Sequence, residues 1–253
     1  MSNTLPRPAA PAPDETRSVL AIPAFRRLWQ AMAFGSLGDW LGLLATTALA
    51  QQLSGGDYAT ANFAIAGVFI ARLLPAVFLG PLAGVIADRF DRRKLMVAAD
   101  VIRFALYISI PIVSNYFWLY TATILVECVS LFWSPAKDAT VPNLVPKEKL
   151  ESANQVSLFA AYGTAPIAAG LFAILALFSS AIASAFPSFK GTSIDIALYI
   201  NALSFAFSAW TIFHLREIPK RNQAGQKADS SVGKSLIEGY QAVSSSKIIR
   251  GLI

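Results

Sequence analysis

An all-α membrane protein of six transmembrane helices is what the sequence predicts, and three observations predict it. Of the 253 residues, 55% are apolar and 14% charged, with a mean hydropathy of +0.53, a balance too apolar for a single soluble core of this size. Six segments, near 25–50, 61–87, 95–114, 116–136, 152–181 and 194–215, carry enough apolar residues to cross a hydrocarbon layer that takes about 20 residues of helix. The third observation is charge placement. Of the 21 Lys and Arg, all but Lys190, Arg72 and Arg103 fall in the amino-terminal flank, the second-to-third loop, the fourth-to-fifth loop or beyond the sixth segment. These four regions share one side of the membrane, and an excess of positive charge marks the cytoplasmic side, so both ends are expected there.

Residues 1–23 are rich in Pro, Ala and charge, without the ordered parts of a cleaved signal peptide, and are expected to form a disordered cytoplasmic tail. The six-helix bundle is expected over 24–215. Its breaks are Ser54-Gly55-Gly56-Asp57, Asp88 to Lys94, Ser114-Asn115, Ser134 to Glu151, and Pro187 to Ser193, each rich in residues that end helices. A cytoplasmic linker follows over 216–246, where Val232, Leu236, Tyr240 and Val243 recur at the spacing of an amphipathic surface helix. The apolar run over 247–253 reads as the start of a seventh membrane helix. Phe117, Trp118, Tyr120, Phe132 and Trp133 bracket the fourth segment as interfacial anchors do.

Several function classes find no support. The formal charge of +6 is spread between apolar stretches with no basic-aromatic patch, which argues against nucleic acid as a partner. No catalytic constellation, metal-ligand cluster or cofactor motif stands out, and the lone Cys128 sits in an apolar run as a small buried side chain would. Gly233-Lys234-Ser235 is like the end of a phosphate-binding loop, but Ala228 stands where the first glycine belongs and no strand precedes it.

One segment carries a specific pattern. Gly84-Val85-Ile86-Ala87-Asp88-Arg89-Phe90-Asp91-Arg92-Arg93-Lys94 resembles motif A of the major facilitator superfamily, agreeing at Gly84, Ala87, Asp88, Arg89, Arg92 and Arg93 and departing where Asp91 replaces a glycine. Gly80 and Gly84 would admit a second helix closely, and Asp88 at a helix end can meet the loop's cations. The resemblance implies a gating latch of Gly84, Asp88, Arg89, Arg92 and Arg93 that helps hold two six-helix halves together in one state. Phe25-Arg26-Arg27-Leu28-Trp29, Gly38-Asp39-Trp40, Arg72-Leu73-Leu74-Pro75, Ser134-Pro135-Ala136 and Val141-Pro142-Asn143-Leu144-Val145-Pro146 extend the resemblance to the branch that includes the enterobactin exporter and macrolide efflux proteins. Gly163, Pro166 and Gly170 echo its antiporter motif loosely. The fold so implied is the amino-terminal six-helix bundle of such a transporter, followed by the start of its second half.

Asp39, Arg72, Asp100, Arg103 and Glu127 lie inside the proposed helices, where ionisable groups pair with one another or line a wet cavity. At about 1.5 Å per residue, they approach a layer near the midplane, the depth of substrate and coupling-ion sites. Three acids against two bases leave one carboxylate in excess, able to carry a proton. Glu127 first, and Asp39 second, are the candidates for coupling protons to export. Asp100 and Arg103 read as an i,i+3 ion pair, Arg72 as a partner for Asp39 or a substrate contact. Asp195 reads as solvated and His214 as an interfacial residue suited to a helix carboxyl end.

The leading functional reading is a proton-coupled secondary transporter in the bacterial inner membrane, exporting a small organic molecule by alternating access. Its partners are substrate, protons, membrane lipid, and a second six-helix half or a second copy. One alternative follows from a further resemblance of Gly38 through Pro146 to the transporter region of bacterial fusions ending in a thymidylate kinase. The other is a non-transporting membrane scaffold.

Overall fold

The computed structural model describes residues 19–87, 89–185 and 192–218, and within them every regular element is helical. The motif residue Asp88, the expected amphipathic helix and the start of a seventh helix lie outside the described residues. The elements are α1 (Pro23–Leu53), α2 (Tyr58–Ala87), α3 (Arg92–Val113), α4 (Tyr116–Asp138), the short α5 (Val141–Leu144), a 3₁₀ turn (Lys147–Lys149), α6 (Leu150–Tyr162), α7 (Ala165–Ala185) and α8 (Ser193–Phe213).

Local chemistry explains the boundaries. Pro23 opens α1, where a missing N–H costs no helical bond. Gly55 and Gly56 turn the chain into α2 at φ +64° and +92°, a region that suits glycine. Hydrogen bonds from Thr60 hold the exposed Asp57 carboxyl below the usual carboxylate range, as Asp57 caps the start of α2 by accepting from the Thr60 N–H at 2.7 Å. Asp91 caps α3 through the Lys94 N–H at 3.0 Å, and Asn115 caps α4 through the Trp118 N–H at 2.8 Å. Asp195, expected to be solvated, instead closes a capping box with Thr192 at the start of α8. His214 is the carboxyl-terminal cap of α8 and remains exposed.

The predicted fifth helix is two. Pro166 has no N–H to offer the carbonyl of Tyr162, so the ladder breaks between Tyr162 and Ala165. Among the described residues five helical stretches are long and apolar enough to cross a membrane, with α6 and α7 counted as one. The 31-residue α1 is not among them: Asp39, three glycines and two threonines dilute its apolar run. At roughly 46 Å it is nonetheless long enough to span, and it packs against α2, α6, α7 and α8. Phe63 is 78% exposed and Leu177 76%, outward apolar faces that call for lipid. The chain is a multi-pass membrane protein.

α8 packs along α1 and α3, while α4 packs on α2 and α3. The core divides into two apolar clusters. One gathers Leu41, Leu49, Val68, Ile110, Leu119 and Leu198; the other gathers Phe25, Leu28, Met96, Val141, Ile212 and Leu215. On α1, α3, α4 and α8 the stretches between these clusters hold Asp39, Arg103, Ser130 and Ser208, so polar groups form a layer between two greasy ones.

Candidate functional site

Two charge clusters occupy the middle of the bundle. In the first, Arg103 and Asp100 form the expected i,i+3 ion pair on α3, with side chains 5% and 1% exposed. Asp100 also accepts from the Ser208 hydroxyl of α8 at 2.7 Å and from the Trp133 indole N–H of α4 at 3.3 Å. The Arg103 guanidinium lies 4.4 Å from the Phe205 ring centroid and 5.3 Å from that of Trp133, a cation-π stack that substitutes for water. Its Nε has no hydrogen-bond acceptor. Three helices are thereby tied around one carboxylate.

The second cluster corrects the expected pairing. Arg72 of α2 meets Glu127 of α4 at 3.0 Å, not Asp39, because α2 packs face to face with α4. With side chains 17% and 22% exposed, the pair sits between surface and core, where charge pairs have intermediate worth. In a double-mutant cycle on the full-length protein, the loss from Arg72→Gln with Glu127→Gln should fall about 1–3 kcal/mol short of the summed losses of the two single variants; a double loss equal to that sum would mean that the two charges do not couple.

Asp39 is then the carboxylate in excess. It lines a pocket of about 160 Å³ with Ser36, Asp100, Arg103, Ser130, Trp133, Lys137 and Ser208. Arg103 and Arg72 exert their fields on it, yet among the described residues no cation comes within ion-pair distance. Lys137, on the same pocket, is held by Asp138 at 2.6 Å. Glu127 faces a different, more open pocket of about 460 Å³ with Gly80, Ser130, Leu131, Ser134 and Asp138. Cys128 is half-buried rather than buried.

The arginines of the Gly84–Lys94 segment make contacts within the bundle. Arg92 donates to the Ala139 carbonyl at 2.9 Å and Arg93 to the Phe213 carbonyl, so they satisfy the carboxyl ends of α4 and α8. Arg93 also lies 5.3 Å over the Phe213 ring. Asp91, in place of a glycine, sits at φ −64°, where any residue is at ease. Gly84 lies in the last turns of α2 and Arg89 is exposed. Nothing described lies within 4 Å of a Cβ at Gly80, so no described helix makes the close approach expected there.

Sequence reasoning missed the partners of these groups. Ser208 and Trp133 complete the Asp100 site. The tryptophans of the two amino-terminal motifs anchor α1 on α6: Trp29 donates to the Val156 carbonyl at 3.0 Å and Trp40 to that of Ala161 at 2.9 Å. Ala161 is in the last turn before the break at Pro166, where carbonyls lack helical donors. Asn201 is wholly buried between Gly38, Gly42 and Tyr107. The stripe Asn201, Ser204, Ser208 at i, i+3, i+7 was a readable signal.

The family described as "Transmembrane secretion effector" matches residues 15–239. The MFS-type transporter YfiS of Bacillus subtilis (strain 168) is 30% identical over 225 residues, 85% of this chain and 48% of that protein. Macrolide efflux protein A of Enterococcus faecalis is 28% identical over 185 residues, 71% of this chain and 53% of its own. The MFS-type transporter Rv0037c of Mycobacterium tuberculosis (strain ATCC 25618 / H37Rv) is 32% identical over 149 residues, 57% of this chain and 33% of its own. The chain thus spans about half the length of the curated relatives it matches. No solved structure matches. The family and the relatives' names point to a transporter, not an enzyme.

Proposed function

Because the chain belongs to the transmembrane secretion effector family of major facilitator superfamily transporters, we propose that it forms one six-helix half of a proton-coupled exporter of small organic molecules, with Asp39 carrying the proton. The carrying observation is that Asp39 faces a polar pocket with no ion-pair partner among the described residues while Glu127 is engaged by Arg72. A carboxylate in that setting is readily discharged by protonation, whereas one neutralised by a guanidinium has less need of a proton. This reverses the order in which the sequence ranks the two acids. The neighbouring arginines supply the return stroke: a proton leaves when the Arg103 or Arg72 field favours the anion.

In this reading the second half of the cavity comes from six further helices or from a second copy, and the basic flanks support a cytoplasmic side for both ends of the six-helix unit. Macrolide efflux by a relative makes a macrolide the first probe. In vesicles holding the full-length protein, Asp39→Asn should lose macrolide transport driven by a proton gradient by about tenfold or more, while substrate exchange without a gradient persists. Gradient-driven transport equal to that of the unaltered protein would overturn the assignment, as would a loss confined to Glu127→Gln.

A further inference from the structure

We propose that the outer groove between α1 and α8 is a site for one anionic phospholipid, its acyl chain in the groove and its phosphate at Arg26 and Arg27. The inference is independent of the transport reading, because it concerns the face of α1 turned away from Asp39. At 3.6 residues per turn, Leu41 lies about 200° around the helix from Asp39. Phe34, Leu37, Gly38 and Leu41 of α1, with Leu203 and Phe207 of α8, line an apolar groove of about 300 Å³. Its rim is open: Phe34 is 46% exposed and Leu203 62%.

Any apolar groove on a membrane protein meets lipid, but the chemistry of its end selects which one. Arg27, Phe34 and Leu41 recur every seven residues and so form one stripe, drifting only about 20° per heptad. Arg26 flanks that stripe, and both arginines are exposed. Across the groove, Phe207, Trp210 and His214 descend α8, with Phe34 and Phe207 centroids 4.6 Å apart and Trp210 and His214 5.0 Å apart. Glu217 meets Arg27 at a long 3.5 Å with both side chains about half exposed. Arg216 stands beside it, also exposed. Arg26, Arg27 and Arg216 outnumber Glu217 here, so basic side chains gather beside a greasy slot.

Length agrees with this occupant. From Arg27 to Leu41 is about 21 Å along α1, close to one leaflet of a bilayer that measures about 40–45 Å with its headgroups. A phosphate at Arg27 therefore leaves an acyl chain running past Phe34 to Leu41. Trp210, 62% exposed, sits at the depth where indole rings settle at the interface. Arginine suits the phosphate because its planar fork binds two oxygens at once.

The test uses the full-length protein in nanodiscs of equal phosphatidylglycerol and phosphatidylcholine, and counts lipids retained after detergent extraction by mass spectrometry. The unaltered protein should retain phosphatidylglycerol about tenfold over phosphatidylcholine. Arg26→Gln with Arg27→Gln should bring that ratio to near parity, since each surface arginine is worth about fivefold toward an anionic headgroup. Lys147→Gln with Lys149→Gln, an exposed and a half-exposed lysine that do not line the groove, should leave the ratio unchanged. Chain-brominated phosphatidylglycerol should quench a fluorescence component that Trp210→Phe removes. An unchanged ratio in the arginine variant would overturn the site. Equal losses in the two paired variants would replace it with diffuse surface attraction, and quenching indifferent to Trp210 would move the acyl chain elsewhere.

Discussion

Arg103→Met should lower the stability of the full-length protein by about 3–5 kcal/mol, because it leaves the Asp100 carboxylate, 1% exposed, without its cation in a medium that cannot solvate it. The Ser208 hydroxyl and Trp133 indole would remain as neutral donors, each worth about 1–3 kcal/mol to a charged acceptor, too little to replace the guanidinium. Removing both charges is a different matter. Arg103→Met with Asp100→Asn should recover most of the loss, since an apolar or neutral replacement of a buried pair is often close to neutral. Equilibrium unfolding in mixed micelles separates the cases. A single variant as stable as the double one would show that no uncompensated buried carboxylate remains once Arg103 is gone, and the expected loss would be overturned.

That the pair would form was legible in the sequence; what surrounds it was not. Spacing alone brings Asp100 to Arg103 on one face of α3, but Ser208 lies 108 residues away and no local pattern ties it to Asp100. The same limit explains the exchange of partners between Asp39 and Glu127. Depth along each helix could be counted from the loops, and it set all five charges near one layer. Azimuth could not, because helices apolar nearly all round, as membrane helices are, give little periodic signal of which side faces a neighbour. Arg72 therefore had two acids at its level, and only the packing of α2 on α4 chose Glu127. Helix ends, by contrast, are local events: Gly55-Gly56, Asn115 and the run at Asp91 fall where residue chemistry put them. The break at Pro166 was equally local and was passed over because a long apolar run suggested one continuous span.

The other large effect is expected at the glycine stripe of α1. A Cβ on Gly38 would land 2.0 Å from the Ser204 hydroxyl oxygen and 2.5 Å from the Asn201 amide oxygen; one on Gly42 would land 2.2 Å from the Asn201 amide nitrogen and 3.1 Å from the Tyr107 ring. These are overlaps with buried side chains. Asn201 is 0% exposed, so either these side chains turn into less favourable positions or the helices part. Small residues spaced four apart are what allow two membrane helices to pack so closely, and here they seat α1 on α8, among the most extensive contacts in the bundle. Gly38→Ala and Gly42→Ala should each cost about 1–3 kcal/mol, and Gly38→Leu about 3 kcal/mol or more. Gly35 supplies the control, since a Cβ there meets only the Phe205 ring at an ordinary 4.0 Å; Gly35→Ala should be neutral or stabilising by up to about 1 kcal/mol through helix propensity. Asn201 sharpens the test, because its buried amide is the group that a methyl on Gly42 would strike. Combined with Gly42→Ala, Asn201→Ala should cost less than the sum of the two single losses, because it opens room for the new methyl group. If Gly38→Ala and Gly35→Ala prove equally stable, close packing at this seam is not what holds α1 to α8, and the tie would have to come from the charge layer around Asp100.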